Sequence, residues 1–322
     1  MQQLALVSLS NPFPSLLNKN VIHLEQHSLD WLNKFHLVTK ESDCKRFRKA
    51  QFSLLTAGTN PNCQLEELKI ANDWISWLFI WDEQCDMTDL TKQPTLLESY
   101  HKRFVEILNG SELTEQDCAI SYCLYDIRQR IIKLGGEKYL PYFVQTVKEY
   151  FQGCVEEAWN RVNSTIPNIN NYVALRRLTG AVDSVLELSM FCNHVMLPDS
   201  LRQNQLLCKL RQTTIDIVCW DNDVYSAYRE IQSGDIHNLV FVISYHNKVS
   251  LTQALQVTVR MRENQLKNLL KLESTLPSFG RDLDSEVGKY ISILHAWISG
   301  NLNWYSRTER YQTTEILTKM AG

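Results

Sequence analysis

The sequence predicts an all-α protein, and three observations carry that expectation. Its 11 glycines and 8 prolines, 19 of 322 residues, run at about half of ordinary usage, which favours long uninterrupted helices over turns. Apolar residues recur at intervals of three and four along most of the chain. Strand-like alternation is scarce and no β-α-β rhythm appears, while an apolar content of 44% is enough for a large core. With no internal repeat, low-complexity stretch or Pro/Ser-rich linker, a single domain over 1–322 is expected, with an N-terminal arm at 1–20 and a tail at 312–322.

In chain order, the Pro-punctuated arm comes first. Leu65, Leu68, Ala71, Trp74, Ile75, Leu78 and Phe79 then form a helix that runs into "WDEQCDMTD". A second helix is expected from about Thr114, with Glu115 and Asp117 in its first turn, to the stop at Gly135 and Gly136. A third covers Tyr139 to Val162 and ends before "NSTIPNINN". Helical periodicity resumes over 171–191, from about Leu201 to Glu230, over 235–246 and 251–273, and from Leu283 to the closing "NLNWYSRTERY".

Charge and cysteine usage exclude several classes. A balance of 33 Lys plus Arg against 36 Asp plus Glu leaves a net charge of −3, so there is no nucleic-acid footprint. The one basic cluster, "CKRFRKAQF", reads as a solvated helix face. Nine dispersed cysteines without a C-x-x-C encode neither a disulfide framework nor a zinc ribbon, and are expected as reduced, mostly buried thiols. The N-terminus lacks the basic region and cleavage site of a signal peptide, and no apolar run approaches the roughly 18 residues of a membrane span. A cytoplasmic protein is expected. "HLEQH" at 23–27 has its Glu misplaced for H-E-x-x-H, so its histidines read as ordinary surface residues.

Two polar patches stand out once placed on helices. Asn222, Ser226 and Glu230 recur every fourth residue, which puts an amide oxygen, a hydroxyl and a carboxylate along one helix face. Hard oxygens of this kind suit Mg²⁺, which keeps waters and substrate phosphate oxygens in its shell. Asp82 and Asp86 lie one turn apart, beside Glu83, at the end of the most apolar stretch of the chain, "WISWLFIW". Carboxylates in such a place repel one another and resist desolvation unless a cation offsets them. Either patch alone would also fit an ordinary solvated surface; together they could share a diphosphate through bridging Mg²⁺ ions.

These segments resemble a known family. "WLFIWDEQCD" resembles the aspartate-rich motif of class I terpene synthases, "NDVYSAYRE" their second metal motif N-D-x-x-S-x-x-[KR]-E, "RRLTG" their diphosphate-sensing segment, and "NLNWYSRTERY" the Arg-Tyr pair of the microbial enzymes. The likeness covers about Asn11 to Tyr311 and is to the bacterial, cyanobacterial-type sesquiterpene cyclases, without the extra helical domains of plant enzymes. It implies a helical bundle around a central active-site cavity. It also implies Mg²⁺, three ions per site, held by Asp82, with Asp86 assisting, and by Asn222, Ser226 and Glu230. Arg176 would sense the diphosphate, Thr179 would link and Gly180 would act through its carbonyl. Arg229, Arg310 and Tyr311 would hydrogen-bond the diphosphate. Two departures are that Glu83 stands where many relatives have Asp and Arg229 where Lys is commoner; Arg229 offers a planar fork instead of a point donor.

A carbocation released from an allylic diphosphate needs a dry pocket with aromatic faces. Ile75, Leu78 and Phe79 share the face of Asp82 at i−7, i−4 and i−3, and Trp297 and Trp304 share another face; these five are the candidate walls, with core packing as the alternative for each aromatic. The implied partner is an allylic prenyl diphosphate, farnesyl diphosphate by resemblance, and a germacrene- or eudesmane-type hydrocarbon is the expected product. The enzyme would act as a monomer or homodimer. A chain-elongating or condensing prenyltransferase is the nearest rival, but those enzymes carry a second Asp-rich motif where this chain has Asn222, Ser226 and Glu230. A non-catalytic helical scaffold is the other.

Overall fold

The structure, a computed structural model, describes residues 9–311. Residues 1–8 of the expected arm and the expected tail 312–322 lie outside the described residues. The helices in order are α1 (Val21–Lys34), α2 (Glu41–Ala50), α3 (Phe52–Thr59), α4 (Leu65–Met87), α5 (Pro94–Leu108), α6 (Ala119–Lys133) and α7 (Leu140–Val162). They continue with α8 (Ile169–Thr179), α9 (Val182–Cys192), α10 (Asp199–Arg202), α11 (Gln205–Ser233), α12 (Leu239–Asn247), α13 (Leu251–Ser274) and α14 (Arg281–Tyr305). Among the described residues there is no strand, and no helix is long and apolar enough to cross a membrane.

Helix α4 is buried nearly all round because it reads as apolar on every face from Trp74 to Trp81. Its three tryptophans stack along the helix, Trp74 on Trp77 at 5.1 Å and Trp77 on Trp81 at 6.1 Å. Each indole N–H finds a partner on a different helix. Trp74 donates to Ser184 of α9 at 3.0 Å, Trp77 to the Ile120 carbonyl of α6 at 2.9 Å, and Trp81 to His101 of α5 at 3.1 Å. Burial pushes the His101 imidazole down to about 3, so it is neutral and free to accept that bond. One charged residue is buried in the middle of α4: Asp73 is ion-paired with Arg130 of α6 and with His27 at 2.8 Å. His27 is therefore not the plain surface histidine expected from "HLEQH"; His23 is.

The second long helix, α11, carries the other polar patch and is held differently. Three of its aspartates, Asp216, Asp221 and Asp223, are buried, and each is matched by an arginine from a neighbouring helix: Arg177 of α8 at 2.7 Å, Arg262 of α13 at 2.8 Å and Arg176 of α8 at 2.9 Å. Helices α4 and α11 both pack on α9. On the other side, α3 packs on α4 and on α14, which in turn packs on α11. The arm wraps over this second side, with Phe13 stacked on His295 at 3.8 Å and Ser299 donating to the Pro14 carbonyl.

Two expected boundaries move. The helix expected from Thr114 begins at Ala119. Asp117 is drawn instead into a turn, where its carboxylate accepts from the Thr114 N–H and hydroxyl and from Arg103 of α5. A charge-assisted fork to Arg103 outweighs one more helical turn. The run 171–191 is split into α8 and α9 at Gly180 and Ala181, and Ala181 stands in the left-handed region at φ 54°. All nine cysteines are free thiols, five of them buried.

Helices α3 and α14 meet backbone to backbone. A Cβ on Gly300 would lie 2.5 Å from the Gly58 carbonyl carbon, and one on Gly58 would lie 3.2 Å from the Gly300 Cα. Gly300→Ala must therefore push the two helices apart. A loss of about 2–3 kcal/mol in folding stability is expected from overpacking at this seam, measured by denaturant unfolding. A loss under about 0.5 kcal/mol would show that the crossing can relax.

Candidate active site

The apolar spine of α4 delivers Asp82 and Asp86 to its solvent-facing C-terminal end. Burial of the surrounding chain, then the charge of Asp82 one turn away, pushes the Asp86 carboxyl up to about 6, against the pull of Arg161 and Arg229. Glu83, between them in sequence, pairs with Arg46 of α2 at 3.0 Å. The α4 patch is thus two carboxylates, with the residue that departs from the family pattern engaged by an arginine.

On α11, Asn222, Ser226 and Glu230 follow one another along one face, as their spacing requires. Ser226 is fully buried, and Asn222 and Glu230 are half-buried. Burial pushes the Glu230 carboxyl up to about 7. Asn222 is held at both ends of its amide. Arg176 Nη2 donates to Oδ1 at 2.7 Å, while Nδ2 donates to Tyr305 Oη at 2.9 Å and Tyr311 Oη at 3.2 Å.

The closing Arg310-Tyr311 pair spans the gap between the two patches. The Arg310 guanidinium lies 4.8 Å from the Phe79 ring of α4, in a cavity of about 200 Å³ also lined by Phe52, Arg46 and Glu83. The next residue, Tyr311, reaches Asn222 on α11. Arg310 Nε is buried with no hydrogen-bond partner among the described residues. Arg229 is exposed, 5.5 Å from the Tyr311 ring. A basic fringe therefore faces two acidic patches, the arrangement expected around a bound polyanion and its cations.

The α8–α9 break lies beside this cleft. Gly180 ends α8, and a Cβ there would fall 2.3 Å from Cys219 Sγ of α11, so only glycine fits. Thr179 turns its methyl toward Gly153 of α7. Of the expected walls, Ile75, Trp297 and Trp304 are buried and Leu78 and Phe79 half-buried. Phe79 stacks on Phe52 at 4.2 Å and lies 5.9 Å from Trp304. Trp297 donates to Ser189 of α9 at 2.8 Å and Trp304 to the Ala50 carbonyl at 2.7 Å.

Asp223, Tyr172 and Tyr305 of the cleft escaped the sequence. Asp223 is fully buried and accepts from Arg176 Nε at 2.9 Å and Tyr172 Oη at 2.8 Å. Its signal was present, since one step from Asn222 turns it about 100° around α11, toward α8, where Tyr172 and Arg176 sit one turn apart. Tyr305, across from Asn222, had no such signal.

The donor chemistry fits a hard divalent cation. Among the described residues no three His, Cys, Asp or Glu side chains converge on one point. The α4 patch instead offers two carboxylates and the α11 patch one carboxylate with amide and hydroxyl oxygens beside it, which leaves room for water and phosphate oxygens. Two of the three carboxyls, Asp86 and Glu230, carry a desolvation burden that a cation would relieve.

Comparison with known proteins gives the family. The family model for terpene synthase family 2, C-terminal metal binding, matches residues 73–268, from the middle of α4 through most of α13. The germacrene A synthase of Nostoc punctiforme is 46% identical over 98% of this chain and 98% of its own. The (+)-T-muurolol synthase of Roseiflexus castenholzii is 32% identical, covering 96% of this chain and 94% of its own. Among solved structures, germacradien-4-ol synthase from Streptomyces citricolor superposes with a TM-score of 0.83 at 24% identity, over 94% of this chain and 99% of that one, which shows the shared fold. With matches of this extent, the chain belongs to terpene synthase family 2, the bacterial class I terpene synthases, whose fold is the all-α bundle described above.

Proposed function

We propose that the chain is a Mg²⁺-dependent sesquiterpene synthase that ionises farnesyl diphosphate and cyclises the resulting cation to a germacrene-type hydrocarbon, with release of diphosphate. The observation that carries this reading is the chelating series Asn222, Ser226 and Glu230 on one face of α11, with Arg176 and Tyr311 hydrogen-bonded to its first member. The name of the Roseiflexus castenholzii relative, which prints farnesyl diphosphate as what it cyclises, supports the substrate, and that of the Nostoc punctiforme relative supports the germacrene-type ring. The whole chain is taken as one catalytic domain, acting in the cytoplasm as a monomer or homodimer.

Asp82 and Asp86 would hold part of a three-ion Mg²⁺ cluster, and Asn222, Ser226 and Glu230 another part. When bound, the ions supply positive charge opposite the departing diphosphate. The chain's own donors do the rest. Arg176, Arg229, Arg310 and Tyr311 hydrogen-bond the diphosphate oxygens as the C–O bond breaks and its electron pair leaves with the diphosphate. A turn of the Arg176 Nη2 donor from Asn222 to the diphosphate would free the amide oxygen. Thr179 and Gly180 pass that shift to the α8–α9 break, where the Gly180 carbonyl faces the substrate. Ile75, Leu78, Phe79, Trp297 and Trp304 keep water away from the cation, and the aromatic faces stabilise it by about 0.5–2 kcal/mol each. Attack by a double bond of the same isoprenoid chain closes the ring, and loss of a proton to the released diphosphate, which takes it up as hydrogen diphosphate, ends the sequence.

Incubation of the purified protein with geranyl, farnesyl and geranylgeranyl diphosphates, with Mg²⁺ or with EDTA, tests this by gas chromatography and mass spectrometry. A cyclic C15 hydrocarbon from farnesyl diphosphate, absent with EDTA, is expected. Longer prenyl diphosphates alone would point to a prenyltransferase, and no turnover of any substrate to a non-catalytic scaffold.

A second expectation concerns pH. A carboxyl raised by the fold keeps a proton that the unfolded chain has lost. The ligand-free stability contributed by Asp86 and Glu230 therefore falls as pH climbs from the carboxylate range through about 6 and about 7. Cation binding needs both ionised, so the Mg²⁺ concentration for half-maximal rate should drop as pH rises from about 6 to about 8. A Mg²⁺ requirement independent of pH over that range would contradict it.

The α8–α9 break gives a third. Gly180→Ala should lower kcat by on the order of 100-fold by forcing the break away from Cys219. Cys219→Ala in the same chain removes the Sγ in conflict and should restore part of the rate. A single variant with kcat unchanged would show that the carbonyl position does not matter.

A further inference from the structure

The loop between α11 and α12 carries a side chain that the function above does not use. Asn238 is fully buried, and all of its hydrogen-bonding capacity is directed at two helices. Its Nδ2 donates to Glu230 Oε2 at 2.9 Å and to the Asp223 carbonyl at 2.9 Å, with Ser226 Oγ at a longer 3.4 Å. Its Oδ1 accepts from the Val240 N–H at 2.9 Å and so caps α12. The next N–H, from Leu239, donates to Asp223 Oδ2 at 3.3 Å.

The consequence for the chelating face is geometric. A glutamate at the end of a helix face has three rotatable bonds, and nothing in its own helix selects one carboxylate orientation. By taking Oε2, Asn238 leaves Oε1 as the outward oxygen and ties its direction to a buried anchor. The same amide lies against Ser226 and reaches the backbone of Asp223, whose side chain holds Arg176. Helix α12 packs on α8, α11 and α13, so the anchor is a fixed part of the bundle and not a mobile loop.

Resting on the proposed cation site of α11, we propose that Asn238 is a positioning residue for it: Asn238 holds Glu230 and Ser226 in the orientation that a divalent cation requires, acting through them without touching the metal. Groups in this position beside metal ligands commonly contribute 10–100-fold to affinity.

The test separates cap from donor. Asn238→Ser keeps an oxygen able to cap α12 but is too short to reach Glu230. Mn²⁺ binding in the presence of inorganic pyrophosphate is followed by electron paramagnetic resonance, beside the Mg²⁺ dependence of kcat and thermal unfolding. Asn238→Ser should bind Mn²⁺ about tenfold more weakly and need about tenfold more Mg²⁺, with kcat largely recovered at saturating Mg²⁺. Ser250→Ala, which removes the cap of α13 far from the cleft, should lower the melting temperature and leave Mn²⁺ affinity alone. Should Asn238→Ser fail to fold, Asn238→Thr also keeps a capping oxygen and carries the same comparison. Mn²⁺ affinity within about twofold of the unmodified protein, or an equal loss in Ser250→Ala, would overturn the proposal. Mn²⁺ binding unchanged by Glu230→Gln would instead remove the α11 site on which it rests.

Discussion

The pairing of three buried aspartates on α11 with three arginines from α8 and α13 is the constraint on which the cleft depends. A carboxylate in an apolar interior is costly, and removing one partner of such a pair leaves the other uncompensated at roughly 3–5 kcal/mol. These pairs are directional in a way that apolar packing is not. Arg177 with Asp216 and Arg176 with Asp223 set the register between α8 and α11, and Arg262 with Asp221 sets that between α11 and α13. The helix that presents Asn222, Ser226 and Glu230 therefore cannot rotate without breaking a buried ion pair. One of the three arginines, Arg176, also reaches Asn222, so the element that fixes the helix is also the one able to answer a ligand.

Helix α4 solves the opposite problem. It must end in carboxylates at the solvent boundary while the rest of it is apolar, and it does so by tying three indoles to α5, α6 and α9. Rigid aromatic packing on one side of the cleft and ion pairing on the other leave the intervening space to the Arg310-Tyr311 pair and the aromatic group around Phe79. On the proposed reading, the polar groups would grip a diphosphate and the apolar side chains around Phe79 would face the hydrocarbon.

Much of this was legible in the residues. Helical period and glycine scarcity located the long helices because packing follows the apolar stripe closely there. The spacing of Asn222, Ser226 and Glu230 places all three on one face whatever surrounds them. Local patterns failed where a distant charge intervened. Asp117 looks like a first-turn acid until Arg103 takes it, and His27 looks exposed until Asp73 is found beside it. Tyr305 was out of reach altogether, because its bond to Asn222 joins positions 83 apart and depends on where α14 ends. Asn238 falls in sequence inside the helical run 235–246, and its place as the cap of α12 and donor to Glu230 appears only when α12 is seated against α11.

The glycine seam between α3 and α14 bears on how such a cleft could be remodelled. Helix α14 brings Tyr305, and the Arg310-Tyr311 pair that follows it, toward Asn222, and its seating on α3 is set by backbone contact and not by adjustable side chains. Selection for a different cavity volume therefore has little freedom along that seam, because any residue added there is transmitted to the contacts that Tyr305 and Tyr311 make with Asn222. Variation that changes the product while sparing ionisation is confined to side chains on the remaining walls. An engineer seeking longer substrates would leave Gly58 and Gly300 alone and work from Ile75 and Leu78.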